Sequence, residues 1–181
     1  MDENSPAVPA QSATQLGILF GVIMVLEFVV LYVIDVDPIT NPGVGTTINI
    51  FNYLILPIAF IYLACNSFKK ANFGFISFGQ CLKQGVKLCV IAGAIYAVFS
   101  IVFMMIFPEF PEEIIRKTRA VMLEKSPELT AEQLDMSIGF VKKMMQPAFS
   151  LPITLLMFSF LGLIYSLIIG AIVKKDKPQS I

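Results

Sequence analysis

Residues 148–173 read AFSLPITLLMFSFLGLIYSLIIGAIV, a run of about 26 positions without one charged side chain. A bilayer core about 30 Å thick is crossed by about 20 helical residues at 1.5 Å each, so this run spans it with some tilt or with one end among the headgroups. Three further runs are long enough to do the same. They are residues 16–34, broken only by Glu27; residues 48–65, with Asn49 and Asn52 near the start; and residues 86–107, with Lys87 at the edge. Four such runs in one short chain predict an all-α membrane protein with four transmembrane helices.

Composition points the same way. The 181-residue chain is 56% hydrophobic and 14% charged, against about 45–50% and about 25% in soluble domains. A chain this small has too much surface to hide that apolar mass from water. Lys+Arg and Asp+Glu number 13 each, so the basic excess that neutralises phosphates is lacking and nucleic acid is not an expected partner. Histidine is absent, which removes the commonest general base and the commonest metal ligand. Cys65, Cys81 and Cys89 are odd in number and lack C-x-x-C spacing. They read as small apolar residues, neither disulfide partners nor zinc ligands. No phosphate-binding loop, nucleophile elbow or H-E-x-x-H occurs. A non-enzyme with no cofactor, no metal and no catalytic residue is therefore expected.

Lysines set the expected orientation. Lys69, Lys70, Lys83 and Lys87 flank the second connection, and Lys174, Lys175 and Lys177 follow the last run. The connection over 35–47 has no basic residue and two acids, Asp35 and Asp37. Basic residues in short loops stay inside, so both termini are expected in the cytoplasm of an inner-membrane, multi-pass protein. The loop over 108–147 carries six basic and seven acidic residues, but long loops translocate with less regard to charge. Residues 1–15 lack the positive start of a signal peptide, and Asp-Val-Asp-Pro follows Ile34, so the first run reads as uncleaved. The expected organisation is a polar cytoplasmic N-terminus over 1–15, a membrane domain over 16–173 and a Lys-rich cytoplasmic tail over 174–181.

Within 108–147, Pro111 starts a helix with Glu112 and Glu113 at its positive end and Lys125 at its negative end. Ser126-Pro127 turns the chain, and Thr130 with Gln133 forms a capping box. Leu134, Ile138, Val141 and Met145 then recur at helical spacing. The loop reads as an extracytoplasmic amphipathic hairpin whose apolar stripe packs on itself, lies on the bilayer or docks another protein. On the other side, Phe68, Phe73, Phe75 and Phe78 interleave with Lys69 and Lys70, a pattern suited to the headgroup region. Ser77 and Gln80 form another capping box, which opens the third helix.

Small residues recur every third or fourth position along the spans: Gly17 and Gly21; Gly85, Cys89, Gly93 and Ala97; and Ser159, Gly162, Ser166 and Gly170. In lipid such stripes let helices approach closely. They predict a compact bundle, with the stripes meeting either within one chain or between copies.

The segments FISFGQCLKQG at 75–85, TAEQLDM at 130–136 and FVKKMMQP at 140–147, with the order of spans and the Lys-rich tail, resemble the family called domain of unknown function 4199, found mainly in Bacteroidota. The resemblance runs from about Leu16 to Lys175. It implies an integral cytoplasmic-membrane protein of about four helices and brings no activity and no functional residues.

Glu27 is the one ionisable residue well inside a span, about 10 Å from its outer end. A charge at mid-bilayer costs about 2.5–3.5 kcal/mol on insertion scales, so such a residue has either a role or a partner. Asn52, Tyr96 and Ser100 are the candidates at comparable depth. Glu27 is then a proton- or cation-binding carboxylate, or a protonated side chain bonded to Asn52 or a backbone carbonyl that holds helices together. Asp35 and Asp37 fall short of the 6–8 oxygens calcium wants and read as a solvated loop. The expected function is a scaffold or accessory protein binding other membrane or envelope proteins or a second copy of itself; the alternative is a small proton- or cation-coupled transporter centred on Glu27. A water-accessible cavity at Glu27 favours the second.

Overall fold

The computed structural model describes residues 12–177. Seven helices follow in order: α1 Ala13–Val33, α2 Pro42–Ile50, α3 Leu56–Ala71, α4 Phe78–Ile106, α5 Glu109–Lys125, α6 Ala131–Met145 and α7 Pro147–Val173. A π turn over Phe51–Ile55 joins α2 to α3 into one apolar helix, Pro42–Ala71. That composite helix, α1, α4 and α7 are each long and apolar enough to cross a membrane, by length and composition. Among the described residues the fold is helical without a β-sheet, with four candidate transmembrane helices.

The helices begin where the sequence offers caps. Ser12 and Gln15, Ser77 and Gln80, and Thr130 and Gln133 each close a reciprocal capping box, which satisfies two orphan N–H groups at each start. α5 begins at Glu109 instead of Pro111, because Pro108 takes the cap position in helical geometry. The third membrane helix starts at Phe78, eight residues before its apolar run, since the capping box and not hydropathy fixes where it begins.

α4 is the centre of the bundle, in contact with α1, α3 and α7. Gly17 and Gly21 of α1 face Leu88, Ile91, Ala92 and Ile95 of α4, so α1 and α4 run parallel. α7 runs the other way: Gly85 meets Ser166, Gly162 meets Cys89, Gly93 meets Phe158 and Gly170 meets Cys81. One seam, stepping four residues at a time on both helices, is thus built from the small side chains. A Cβ on Gly162 would lie 2.9 Å from the Gly85 carbonyl oxygen, a close approach that only glycine permits. Ala97 is buried on α4. Ser159 is off the seam by one position, which Phe158 fills, and its hydroxyl donates to the Leu155 carbonyl at 2.7 Å. The stripes therefore meet within the chain.

Outside this core the bundle is apolar. Leu156 and Ile172 of α7 are 71% and 75% exposed, and Leu26 and Val98 are exposed on α1 and α4. So broad an apolar skin needs lipid around it.

One end of the bundle is tied by polar contacts. The Ile76 and Lys175 backbones exchange hydrogen bonds of 2.9 and 2.8 Å. The Lys69 ammonium donates to the Val173 carbonyl at 2.9 Å, capping α7 with the charge its C-terminal dipole favours. This end gathers Lys69, Lys70, Lys174, Lys175 and the start of α4, with the start of α1 beside it. The opposite end carries the 34–41 loop and the α5–α6 hairpin.

Candidate functional site

Pro57 organises the site without touching it. A proline has no N–H to give the carbonyl four residues back, and its ring crowds that carbonyl. The helix responds by widening: the Leu56 amide donates to the Phe51 carbonyl, five residues back. The carbonyl that Pro57 cannot serve belongs to Tyr53, and the Tyr165 hydroxyl of α7 donates to it at 2.7 Å. Pro57 thus produces a π turn, and no break, because a neighbouring helix supplies the missing donor.

Asn52 sits in that π turn, buried in the bundle. Its side-chain amide donates to Glu27 Oε2 of α1 at 2.5 Å. Its Oδ1 is buried and has no hydrogen-bond partner. Tyr96 of α4 lines the same cavity as Glu27 and Asn52. Ser100, one turn along α4, is not on that wall.

The cavity is half-open and offers about 300 Å³. Its deep end is formed by Glu27, Asn52, Tyr96 and Met24; its mouth by Asp35, Asp37, Pro38, Glu113 and Lys117. One continuous space therefore joins the intramembrane carboxylate to the loop between α1 and α2. Phe28, Leu31, Tyr32, Phe110 and Ile114 form apolar walls.

Helix α5 roofs this space, and two sets of contacts hold it there. Phe28 and Tyr32 of α1, Phe103 and Phe107 at the end of α4, and Phe110 stack edge-on and tilted with ring centres 4.7–5.9 Å apart. At the mouth, the Lys117 ammonium lies 2.8 Å from Asp37 and 2.6 Å from Glu113. Asp37 also accepts the Ile39 amide at 2.8 Å. Partial burial pushes the Asp37 carboxyl up, but Lys117 and the Ile39 amide outweigh it and hold it below the usual range. The hydrogen bonds that Lys117 donates to Asp37 and Glu113 raise its own pKa in turn. Asp37 is consequently a latch to α5 and not the solvated loop residue expected, whereas Asp35 is exposed, with φ 56°. Arg119 pairs with Asp135 and links α5 to α6.

Sequence reasoning missed the latch and the aromatic roof. Asp37 and Lys117 are eighty positions apart, and no local spacing pairs them. The aromatics at 103, 107 and 110 do carry a signal, a helical stripe of Phe interrupted by Pro108, but it reads equally well as lipid-facing.

Cys65, Cys81 and Cys89 are buried thiols. Among the described residues no group of three or more His, Cys, Asp or Glu is placed to hold a metal ion. No curated protein and no solved structure matches the chain. Over residues 15–175 it matches the family described as Protein of unknown function (DUF4199), and with nearly its whole length covered the chain belongs to that family.

Proposed function

We propose that this protein is a small proton- or cation-coupled transporter of a bacterial inner membrane, with both termini in the cytoplasm and Glu27 as the cation-binding carboxylate. The Bacteroidota setting rests on the family resemblance alone. One observation carries the reading: Glu27 and the outer loop line the same cavity. A carboxylate kept only to hold helices together needs a dry contact with its partner. Here it has both a partner, Asn52, and a route to the outer face. On the cytoplasmic side of the carboxylate, Leu16, Phe20, Ile61 and Leu88 are buried side by side with the α4–α7 seam, which suits an outward-facing arrangement closed below.

Reconstitution tests it. Proteoliposomes given a proton or Na⁺ gradient should show flux above protein-free vesicles, and Glu27→Gln should abolish it. Equal flux in the parent and in Glu27→Gln sinks the reading.

The scaffold reading keeps one specific support. Met136 and Phe140 on α6 are 70% and 63% exposed, which leaves an apolar face on the hairpin without a partner among the described residues. The small-residue stripes no longer speak for it, because they meet inside the bundle. Cross-linking from α6 in intact membranes that returns a defined envelope protein or a second copy would favour this role.

A further inference from the structure

The geometry points to a specific ligand class for the Glu27 cavity: a primary ammonium on an apolar, aromatic-sized body. This rests on the cation-binding reading of Glu27 and narrows it.

Size argues first. About 300 Å³ is at the lower bound of small-molecule sites and corresponds to roughly ten waters at about 30 Å³ each. A proton or a bare ion needs no such room. The ligand set argues next. Hard cations of the Mg²⁺ and Ca²⁺ type demand about six to eight oxygens. The deep end offers the Glu27 carboxylate, the Asn52 amide and the Tyr96 hydroxyl. Among the described residues no acidic or thiol cluster of three or more could complete a metal site.

The polar groups at the deep end want hydrogen-bond donors. Asn52 is 7% exposed, its N–H goes to Glu27, and its Oδ1 is buried away from the space, so the acceptor that the cavity presents is the Glu27 carboxylate. An ammonium brings N–H donors and a positive charge, which is what a carboxylate facing an otherwise apolar cavity accepts best. An anion or a neutral acceptor would be mismatched there.

The walls suit the remainder of such a molecule. Met24, Phe28, Leu31, Tyr32 and Phe110 present apolar and aromatic surface, against which a hydrophobic body is stable and a cation is attracted to ring faces. Charge at the mouth has the right sign. Asp35, Asp37 and Glu113 stand against one cation, Lys117, which is occupied by Asp37 and Glu113. A positive ligand is thus drawn in, and an anionic one meets acids all the way down.

The test is direct binding of radiolabelled 2-phenylethylammonium to the full chain in phosphatidylcholine nanodiscs, with empty discs subtracted. Saturable binding is expected. The neutral 2-phenylethanol should compete at least about tenfold less well, as a lost charge-assisted hydrogen bond implies, and phenylacetate should not compete. Glu27→Gln should weaken binding by about tenfold or more, and Leu31→Trp, which fills the cavity one turn from Glu27 and keeps the carboxylate, should block it. The second variant keeps the test decisive if the first fails to fold. No saturable binding, equal competition by the alcohol, or unchanged affinity in a folded Glu27→Gln or Leu31→Trp protein overturns the inference. If Glu27-dependent proton or Na⁺ flux is seen while the amine does not bind, the ligand class is wrong and the transport reading stands. If both fail, the carboxylate is structural.

Discussion

Replacing Gly162 by alanine puts a methyl carbon 2.9 Å from the Gly85 carbonyl oxygen, 2.9 Å from Val86 Cα and 3.0 Å from Cys89 Cβ. Non-bonded carbons rest at about 3.5–4.0 Å, and two of these three obstacles are backbone. No rotamer relieves them, so α4 and α7 must part by roughly half an ångström or more along their seam. Overpacking of this kind costs about 1–3 kcal/mol, offset in part by the gain of up to about 1 kcal/mol for Gly→Ala in a helix. A net loss of about 1–2 kcal/mol is expected. Gly85→Ala meets a different obstacle. Its methyl would sit 1.8 Å from Ser166 Oγ, with the next atoms at 3.0 and 3.1 Å, and Ser166 is fully buried with its hydroxyl on the Gly162 carbonyl at 2.5 Å. One hydroxyl is in the way, so adding Ser166→Ala should rescue Gly85→Ala, with a coupling of about 1 kcal/mol or more. The same Ser166→Ala should leave Gly162→Ala unimproved. Gly139→Ala, on α6 with nothing within 4 Å, should be neutral or stabilising. Reversible unfolding in mixed micelles by SDS titration, followed by circular dichroism, reads all six variants, Ser166→Ala alone included. If Gly162→Ala is as stable as the parent, or if Ser166→Ala rescues both glycine variants equally, α4 and α7 do not cross where the seam places them.

Tyr165→Phe leaves the Tyr53 carbonyl without the donor that replaced Pro57's missing amide, and a loss of about 1 kcal/mol is expected in the same assay; in a Pro57→Ala background, where an amide returns, the loss should shrink. The Asp37–Lys117 latch should be pH-dependent. Asp37 is depressed when folded, so its contribution is present above its ordinary value of 3.8 and is lost as pH falls through the lower folded value. Lys117 is raised, so its contribution is present below 10.5 and is lost as pH rises through the higher folded value. The difference in thermal midpoint between the parent and Lys117→Met should be flat from about pH 4 to about pH 10 and should shrink on either side; a difference constant down to pH 2 would contradict it. Orientation can be read with a membrane-impermeant maleimide, because the native thiols are buried: Gly43→Cys should label in intact spheroplasts and Lys177→Cys only after lysis, and the reverse pattern would invert the topology.

If Glu27 is the coupling carboxylate of a transporter, as proposed, the roof and the seam take different parts in it. The α1–α4–α7 core crosses backbone against backbone and has little freedom to rearrange. α5 has no buried residue and is held to the bundle by ring contacts and one shared lysine, and to α6 by the Arg119–Asp135 pair, the kind of element that opens at low cost together with its hairpin. An access cycle at Glu27 is therefore expected to move α5 and the 34–41 loop over a rigid floor, with the π turn at Asn52 as the adjustable part of the wall.

Much of this architecture was legible in the residues. Hydropathic length fixed the four spans, because a bilayer demands about 20 apolar residues and nothing soluble of this size tolerates four such runs. Capping boxes at Ser77 and Thr130 marked helix starts, since their hydrogen bonds are local and need no tertiary partner. Glu27 announced itself by its cost in lipid. What the tertiary structure alone decided is what meets what. Periodicity places Gly85 and Ser166 on stripes but cannot say that the two stripes interlock, nor that Phe158 and not Ser159 continues the seam, because a shift of one residue turns a helix face by about 100°. It cannot pair Asp37 with Lys117 across eighty positions, or carry the effect of Pro57 through a π turn to a tyrosine on another helix. Those contacts depend on helix rotation and register, which are set jointly by every close approach in the bundle, and they convert a costly carboxylate in a span into the floor of a cavity open to one side.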